Sequence, residues 1–273
     1  LLVAGDAQYT LVGNDGPVFW VLTDKDAPLR RVVAVDSRDP APERWREIIP
    51  EGKEALDQCS AIGGRLVAGY MKDACSVVRV FSTDGTFERE VPLPGLGTTY
   101  GFGGKQSDPE TFYSFTSFAL PGPVCRYDLS TGETSIFREP RLTYDPADYE
   151  SRQVFYQSKD GTRVPMFVVH KKGLELDGRN PAFLYGYGGF GASSTPSYNS
   201  GDMTWLQMGG VYALACIRGG GEYGEAWHEA AEKTRRQTGF DDFIAAAEWL
   251  IDNDYTSHRR LAIGGDSNGG LLV

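Results

Sequence analysis

Short runs of apolar and β-branched residues alternate with turn sequences through the first half of the chain. Runs of this length predict β-strands, and the turns between them carry the Asp-Gly and Thr-Gly sequences that close hairpins. No segment with helical periodicity of useful length falls among them. The clearest runs are residues 18–22, 31–35, 65–70, 77–81 and 111–115. We therefore predict an all-β region that extends to about residue 140.

The predicted strands recur at a nearly constant spacing. An apolar strand that follows a turn begins near Val18, Leu66 and Phe112, a step of roughly 46 to 48 residues, and a second strand with a hairpin-like turn follows each. Four-stranded propeller blades repeat every 40 to 50 residues or so. The spacing predicts about three blades of a β-propeller, with a β-sandwich of coincidental spacing as the alternative. Three blades cannot close a ring, so we expect the others upstream.

From about residue 150 onwards the pattern changes to alternating β and α elements. The runs 182–185 and 211–216 are almost continuously apolar, as expected for strands that are buried on both faces. A segment with helical spacing follows, and the apolar strand 261–263 comes directly after it. Together these elements predict a parallel sheet covered on both faces. The apolar face of the predicted helix consists of Phe240, Phe243, Ile244, Ala247, Leu250 and Ile251.

Composition and charge exclude several classes of protein. The 273 residues are 41% hydrophobic and 12% aromatic, which excludes disorder, and no apolar run reaches the length that a membrane helix needs. The 27 Lys and Arg residues against 37 Asp and Glu residues give a net charge of −10. Without a basic stripe, such a chain is a poor binder of nucleic acid. The longest basic cluster, residues 233–236, is predicted to be a solvated helix face.

The cysteines and histidines form no metal-binding or disulfide pattern. The four cysteines are widely scattered without a CxxC pair, and the three histidines form no HExxH or HxH group. A structural zinc site needs ligands in local pairs, and a disulfide scaffold needs a small, cysteine-dense chain. We therefore expect no metal, no cofactor, and unpaired thiols in a reducing compartment.

The strongest candidate for chemistry is the sequence Gly265-Asp266-Ser267-Asn268-Gly269, which directly follows a predicted apolar strand. G-x-S-x-G is the nucleophile-elbow pattern of α/β-hydrolases, in which the serine occupies a strained strand-to-helix turn and the glycines let strand and helix approach. The turn exposes the serine hydroxyl, and the backbone N–H of Asn268 points into an oxyanion site. A glycine-rich turn without a catalytic role is the alternative.

Two further glycine-rich segments lie upstream of the elbow. Segment 185–190 follows a predicted buried strand, where α/β-hydrolases place the second oxyanion donor, and a tyrosine hydroxyl could supply it. An aromatic-glycine turn in a core is the alternative. Segment 218–224 lacks the spacing of phosphate-binding loops, so we interpret it as a loop close to the sheet edge. His228 lies nearby, but α/β-hydrolases place the acid and histidine after the nucleophile, so His228 is not expected to be the base.

These segments together closely resemble the prolyl oligopeptidase family of serine peptidases. The resemblance covers essentially the whole chain, and its most specific segments are 185–190, 218–224, 240–243 and 267–272. It implies a seven-bladed propeller that caps an α/β-hydrolase domain and admits only short peptides. Residues 1–142 are then the C-terminal part of the propeller. Residues 143–273 are the N-terminal half of the α/β-hydrolase catalytic domain.

The resemblance also implies roles for individual residues. The family cleaves peptides on the carboxyl side of proline through an acyl-enzyme, with Ser267 as the nucleophile. The Tyr187 hydroxyl and the Asn268 backbone N–H form the oxyanion hole, and Phe190 lines the apolar pocket for the proline ring. Asp266 stands where the family usually has glycine, which changes the local charge but not the expected chemistry.

The catalytic Asp and His of the family lie downstream of the nucleophile, whereas this sequence stops six residues after Ser267. We therefore expect an internal fragment that is inactive in isolation. Two other interpretations stay open: an esterase or acyl-peptide hydrolase of the same fold, and a non-catalytic propeller binding module.

The leading interpretation predicts short proline-containing peptides as partners, no nucleic acid, no membrane, and a monomer when full length. The expected location is cytoplasmic, with a periplasmic or secreted location left open.

Overall fold

The computed structural model describes residues 5–273, and its first part consists of three four-stranded antiparallel sheets. Residues 1–4, the start of the predicted propeller part, lie outside the described residues. In each sheet the strands are adjacent in chain order. The first sheet contains β1 (Tyr9–Asp15), β2 (Val18–Thr23), β3 (Arg31–Asp36) and β4 (Arg46–Ile49). The second contains β5 (Ala55–Ile62), β6 (Arg65–Lys72), β7 (Cys75–Ser82) and β8 (Phe87–Glu90). The third contains β9 (Thr98–Gly103), β10 (Glu110–Thr116), β11 (Val124–Asp128) and β12 (Thr134–Arg138).

The three sheets coincide with the three repeat units predicted from the sequence. Val18, Leu66 and Phe112, which mark the repeat, all lie in the second strand of their sheet. Neighbouring sheets pack face to face, because side chains point alternately to the two faces of a strand. One core joins the first two sheets around Leu66, and a second core joins the second and third sheets around Tyr127. This stacking of similar sheets is that of propeller blades.

The second part of the chain is built on one five-stranded sheet. Its strands are β13 (Tyr149–Gln157), β14 (Arg163–Lys171), β15 (Ala182–Gly186), β16 (Val211–Ala215) and β17 (Leu261–Gly264), in the spatial order β13-β14-β16-β15-β17. The parallel arrangement predicted for the later strands does not extend to the first two, since β13 pairs with β14, and β14 with β16, in antiparallel fashion. A tight turn at residues 158–162 joins β13 to β14, and a connection of this length allows only antiparallel pairing. The strands β16, β15 and β17 are parallel.

The longest helix covers the sheet with a face that differs from the predicted one. The four α-helices of residues 5–273 are α1 (Ser200–Gln207), α2 (Glu225–Glu229), α3 (Gln237–Asp252) and α4 (Asn268–Leu272). In α3 the buried residues are Gly239, Asp242, Phe243, Ala246 and Leu250. Ile244, which the sequence placed on the apolar face, is 53% exposed. The helix is rotated because Asp242 turns inward to reach the buried guanidinium of Arg218.

The basic cluster at residues 233–236 is also only partly as predicted. Lys233 and Arg235 belong to a 3₁₀ turn and are exposed. Arg236 is half-buried, and its Nη1 donates a hydrogen bond to the carbonyl oxygen of Gly188. Its guanidinium also lies 5.3 Å from the ring centre of Phe240. One member of the cluster is therefore a structural contact of the loop after β15.

The two parts of the chain pack against each other through an apolar cluster with polar contacts at its margin. Phe118 of the third blade lies 5.6 Å from Phe167 of β14, measured between ring centres. The Thr98 hydroxyl donates to the Pro196 carbonyl at 2.7 Å. The Tyr223 hydroxyl donates to Asp73 Oδ1 at 2.8 Å. The described residues include no helix that is long and apolar enough to cross a membrane.

Candidate active site

Ser267 occupies the turn between β17 and α4, at the edge where the carboxyl ends of the three parallel strands meet. Its backbone has φ 53° and ψ −111°, and its side chain is exposed. A residue with a side chain rarely adopts positive φ, and such a conformation costs on the order of 1–3 kcal/mol. The turn thus has the strained geometry of a nucleophile elbow and presents the serine hydroxyl to solvent.

The glycines on either side of Ser267 have no room for a side chain. A Cβ at Gly265 would lie 2.4 Å from the carbonyl oxygen of Gly269. A Cβ at Gly269 would lie 2.6 Å from the carbonyl oxygen of Gly186. Gly270, one residue further on, has its nearest neighbour, the Gly265 carbonyl oxygen, at 3.6 Å. The close approach of strand and helix therefore requires glycine at the two motif positions and not at the next one.

Asn268 joins the elbow to the glycine-rich loop that follows β15. Its side-chain amide donates to the carbonyl oxygen of Tyr187 at 2.7 Å. A Cβ at Gly189 would lie 2.3 Å from the same amide nitrogen, so this loop also packs closely against the elbow. The structure thereby places Tyr187 beside the elbow residues Ser267 and Asn268. Of the three, Ser267 is the exposed one.

An open cleft of about 710 Å³ lies beside the elbow, between the blades and the five-stranded sheet. The half-buried side chain of Tyr187 and Asp266, the residue before Ser267, line it from the side of the five-stranded sheet. Tyr100 and Phe118 line it from the third blade. Tyr185 also faces this cleft, and its hydroxyl donates to Asp266 Oδ2 at 3.3 Å. Both parts of the chain thus form the walls of the cleft, which Gly265 and Asp266 of the elbow also line.

Phe190 lies at a neighbouring cavity and not among the residues that line the first one. It has φ 56°, and its ring is 80% exposed. The cavity beside it measures about 350 Å³ and is shared with Arg30 of the first blade and Asp57 of the second. Within the described chain, no tight apolar pocket surrounds the Phe190 ring.

Arg218 begins the second glycine-rich loop and is the buried centre of an ionic network with the buried Asp242 and the exposed Asp160. Its Nη2 donates to Asp242 Oδ1 at 2.6 Å, and its Nη1 donates to Asp160 Oδ2 at 2.6 Å. Its backbone N–H also donates to Asp242 Oδ2 at 3.0 Å, and Asp242 is fully buried. The hydrogen bonds from Arg218 hold the pKa of Asp160 well below its usual range. The network fixes the start of the 218–224 loop to α3 and to the turn between β13 and β14.

Neither this network nor the buried carboxyl of Glu222 in the same loop is predicted from the sequence. Glu222 is 1% exposed, and burial raises its pKa to about 7. The available signal for the network was Asp242 itself, a charged residue between Phe240 and Phe243 on the apolar side of a predicted helix. A charge in that place needs a buried partner.

The remaining candidates for chemistry are engaged elsewhere. His228 Nδ1 lies 2.8 Å from the Gly219 carbonyl oxygen, and His170 Nδ1 lies 2.9 Å from the Lys171 carbonyl oxygen. All four cysteines are buried free thiols. In the part of the chain that the structure describes, no group of three or more His, Cys, Asp or Glu side chains is placed to hold a metal ion.

Comparison with protein families gives two matches along the chain. The family described as "Prolyl oligopeptidase, N-terminal beta-propeller domain" matches residues 1–140. The family described as "Prolyl oligopeptidase family" matches residues 196–273. The first match covers the three blades, and the second contains the elbow.

Curated relatives and solved structures agree with these matches. A prolyl endopeptidase of Elizabethkingia meningoseptica is 41% identical over 273 residues, all of this chain and 39% of the relative. Prolyl oligopeptidase A of Amanita bisporigera is 38% identical over 98% of this chain and 36% of its own length. A chain from a structural study of two prolyl endopeptidases matches with a TM-score of 0.95 and 45% identity, over 99% of this chain and 40% of that one.

One solved relative is prolyl oligopeptidase B of Galerina marginata, bound to a 35mer hydrolysis and macrocyclization substrate. It matches with a TM-score of 0.92 and 36% identity, over 98% of this chain and 38% of that one. The chain thus spans about 39% of the length of the curated prolyl endopeptidases that it matches.

Proposed function

The chain belongs to the prolyl oligopeptidase family, and on that basis we propose that the protein is a serine endopeptidase that hydrolyses short peptides on the carboxyl side of proline. The observation that carries the proposal is the backbone of Ser267, a positive φ between two glycines that tolerate no side chain. This strained exposure is what a nucleophilic serine needs and what a plain glycine-rich turn does not.

In the proposed mechanism the Ser267 oxygen attacks the carbonyl carbon of the proline residue and forms an acyl-enzyme. The backbone N–H of Asn268 and the hydroxyl of Tyr187 stabilise the oxyanion. Loss of one such donor typically lowers kcat by about 10²–10³. The position of Tyr187 supports its role, since the Asn268 side chain holds its backbone beside the elbow. Phe190, whose exposed ring borders the adjoining cavity, is proposed to contact the proline ring.

The mechanism also requires a histidine base and an acid. His170 and His228 are both hydrogen-bonded to backbone carbonyls away from the elbow. In α/β-hydrolases the acid and then the histidine follow the nucleophile in the chain. We therefore propose that residues beyond Val273 supply both. Reading the downstream frame tests this: absence of an Asp and a His in hydrolase-like contexts would favour a non-catalytic binding module.

The central experiment measures turnover of a proline-containing reporter peptide by the complete gene product. We expect Ser267→Ala to abolish turnover, whereas Ser135→Ala, at an exposed position of β12, leaves it unchanged. We expect Tyr187→Phe to lower kcat by about 10²–10³ with little change in KM. Turnover that survives in Ser267→Ala would overturn the proposal. Faster hydrolysis of simple esters or acyl-peptides than of prolyl peptides would overturn the proposed substrate class and leave the nucleophile in place.

We also propose that the full-length protein is a cytoplasmic monomer. Four buried free thiols support a reducing compartment, because disulfides persist mainly in oxidising ones. Light scattering on the purified complete protein tests the oligomeric state, and cell fractionation tests the location. A dimer, or recovery outside the cytoplasm, would contradict the corresponding part.

A further inference from the structure

The segment that follows Phe190 has no regular secondary structure and depends on another loop for its position. Residues 191–194 run between β15 and α1 along the walls of both cavities. The Gly191 N–H donates to the carbonyl oxygen of Gly219 at 3.1 Å. At the other end of the segment, the Cys216 thiol lies 3.1 Å from the carbonyl oxygen of Ser194. Apart from a local bond from the Ala192 N–H to the Gly189 carbonyl oxygen at 3.0 Å, the segment is held by residues 216–222 and by His228, whose Nδ1 lies 3.0 Å from the Gly191 nitrogen.

The shortest contact between the two loops is made by a carboxyl group. Ser194 N–H donates to Glu222 Oε1 at 2.6 Å, and Glu222 Oε2 is buried without a hydrogen-bond partner. None of the ion pairs found among residues 5–273 includes Glu222. Burial raises the pKa of this carboxyl to about 7, as expected for a carboxyl with no cationic partner.

Glycines make room for this carboxyl between the loops. A Cβ at Gly220 would lie 2.3 Å from Glu222 Oε2. A Cβ at Gly221 would lie 2.3 Å from the Gly191 carbonyl oxygen. The run of glycines before Glu222 thus allows the carboxyl and the segment 191–194 to pack directly on the loop backbone. Burying a carboxyl without a cationic partner costs free energy, so the hydrogen bond from the Ser194 N–H is the contact that Glu222 gains in this place.

We propose that Glu222 is a positioning residue that holds segment 191–194, and through it Phe190, in the place where the substrate's proline ring binds. The inference rests on the proposed function. Glu222 does not contact the elbow residues; it acts through the Ser194 N–H. Its loss is therefore expected to weaken binding of the proline side of the substrate more than the chemical step at Ser267.

The test compares Glu222→Ala and Glu222→Gln in the complete protein with the prolyl reporter peptide. Glu222→Gln keeps an acceptor for the Ser194 N–H, whereas Glu222→Ala removes it. We expect Glu222→Ala to raise KM about tenfold or more with kcat changed less than about threefold, and Glu222→Gln to restore most of the affinity. Glu229→Gln, an exposed position of α2, is the matched control for loss of charge. Glu222→Asp, which withdraws the carboxyl by one methylene, replaces Glu222→Ala if that variant does not fold.

Hydrogen exchange at the Ser194 amide supplies a readout that needs no activity. We expect this amide to exchange at least about tenfold faster in Glu222→Ala than in the wild type, and at near wild-type rate in Glu222→Gln. Unchanged exchange and unchanged KM in Glu222→Ala would overturn the inference. An equal fall in kcat and kcat/KM without a KM change would also overturn it. If the wild type fails to cleave prolyl peptides, the proposed function fails, while the exchange result still decides whether Glu222 positions the segment.

Discussion

The three blades and the α/β part of the chain differ in whether their charged side chains are buried. Among residues 5–140 the buried polar side chains are all threonines, and the ion pairs range from partly exposed, as in Arg79–Glu54, to largely exposed, as in Arg38–Asp36. The catalytic part buries Arg218, Asp242 and Glu222 instead. The blades are stabilised by apolar packing between similar neighbours, which tolerates local change. The catalytic part needs specific partners at the loops that surround the elbow, so single substitutions there are expected to cost more.

The largest effect is expected at the elbow itself. A Cβ at Gly265 would lie 2.4 Å from the Gly269 carbonyl oxygen, so the two must move apart. We expect this movement to shift α4 and the Ser267 hydroxyl. We expect Gly265→Ala to lower turnover of the prolyl reporter by about 10²-fold or more. Gly270→Ala is the control, because its nearest neighbour at 3.6 Å is in ordinary contact. Equal activity of the two variants would show that close packing at the elbow is not required.

The next largest effect is expected from the buried ionic network. Arg218→Met leaves Asp242, which is fully buried, without its counter-charge, and should lower the free energy of unfolding by about 3–5 kcal/mol. The matched change in a blade, Arg38→Met, removes an exposed partner of Asp36 and should leave the free energy of unfolding nearly unchanged, because solvent screens such a pair. Urea unfolding of both variants checks the pair. Similar costs at the two sites would remove the contrast between the two parts of the chain.

A smaller, pH-dependent effect is expected from Glu222. Its pKa of about 7 in the folded protein lies above its unfolded value near 4.5, so the folded state binds more protons between these pH values. The free energy of unfolding therefore falls as pH rises through this window, by roughly 3 kcal/mol in total from this group. Glu222→Gln should remove this part of the pH dependence. The free energy of unfolding of the wild type and of Glu222→Gln is measured at pH 5 and at pH 8. An equal change between the two pH values in both proteins would contradict the prediction.

Much of this architecture is readable from the sequence because it depends on local spacing. The repeat at Val18, Leu66 and Phe112 reflects strands that pair with their chain neighbours. The G-x-S-x-G motif predicts the elbow because glycine is needed wherever a backbone oxygen lies within about 3 Å of a Cβ position. Neither feature depends on knowing which distant segments meet.

The features that the sequence analysis missed all depend on distant contacts. The helical period of α3 predicts an apolar face, but in the structure Ile244 is exposed and Asp242 is buried. The helix is oriented this way because Asp242 pairs with Arg218, which is 24 residues away in the chain. Similarly, the antiparallel pairing of β14 with β16 is set by the order of strands in the sheet. Spacing along the chain carries no information about either.

By itself, the sequence determined the three blades, the change to an α/β pattern and the location of the elbow at Ser267. Each follows from hydrophobic periodicity or from glycines at fixed intervals, which act over a few residues. Only the tertiary structure decided that Arg218 is paired, that Glu222 is buried against Ser194, and that the blades form a wall of the cleft. Burial and charge pairing depend on which segments the fold brings together, and that is a property of the whole packed chain.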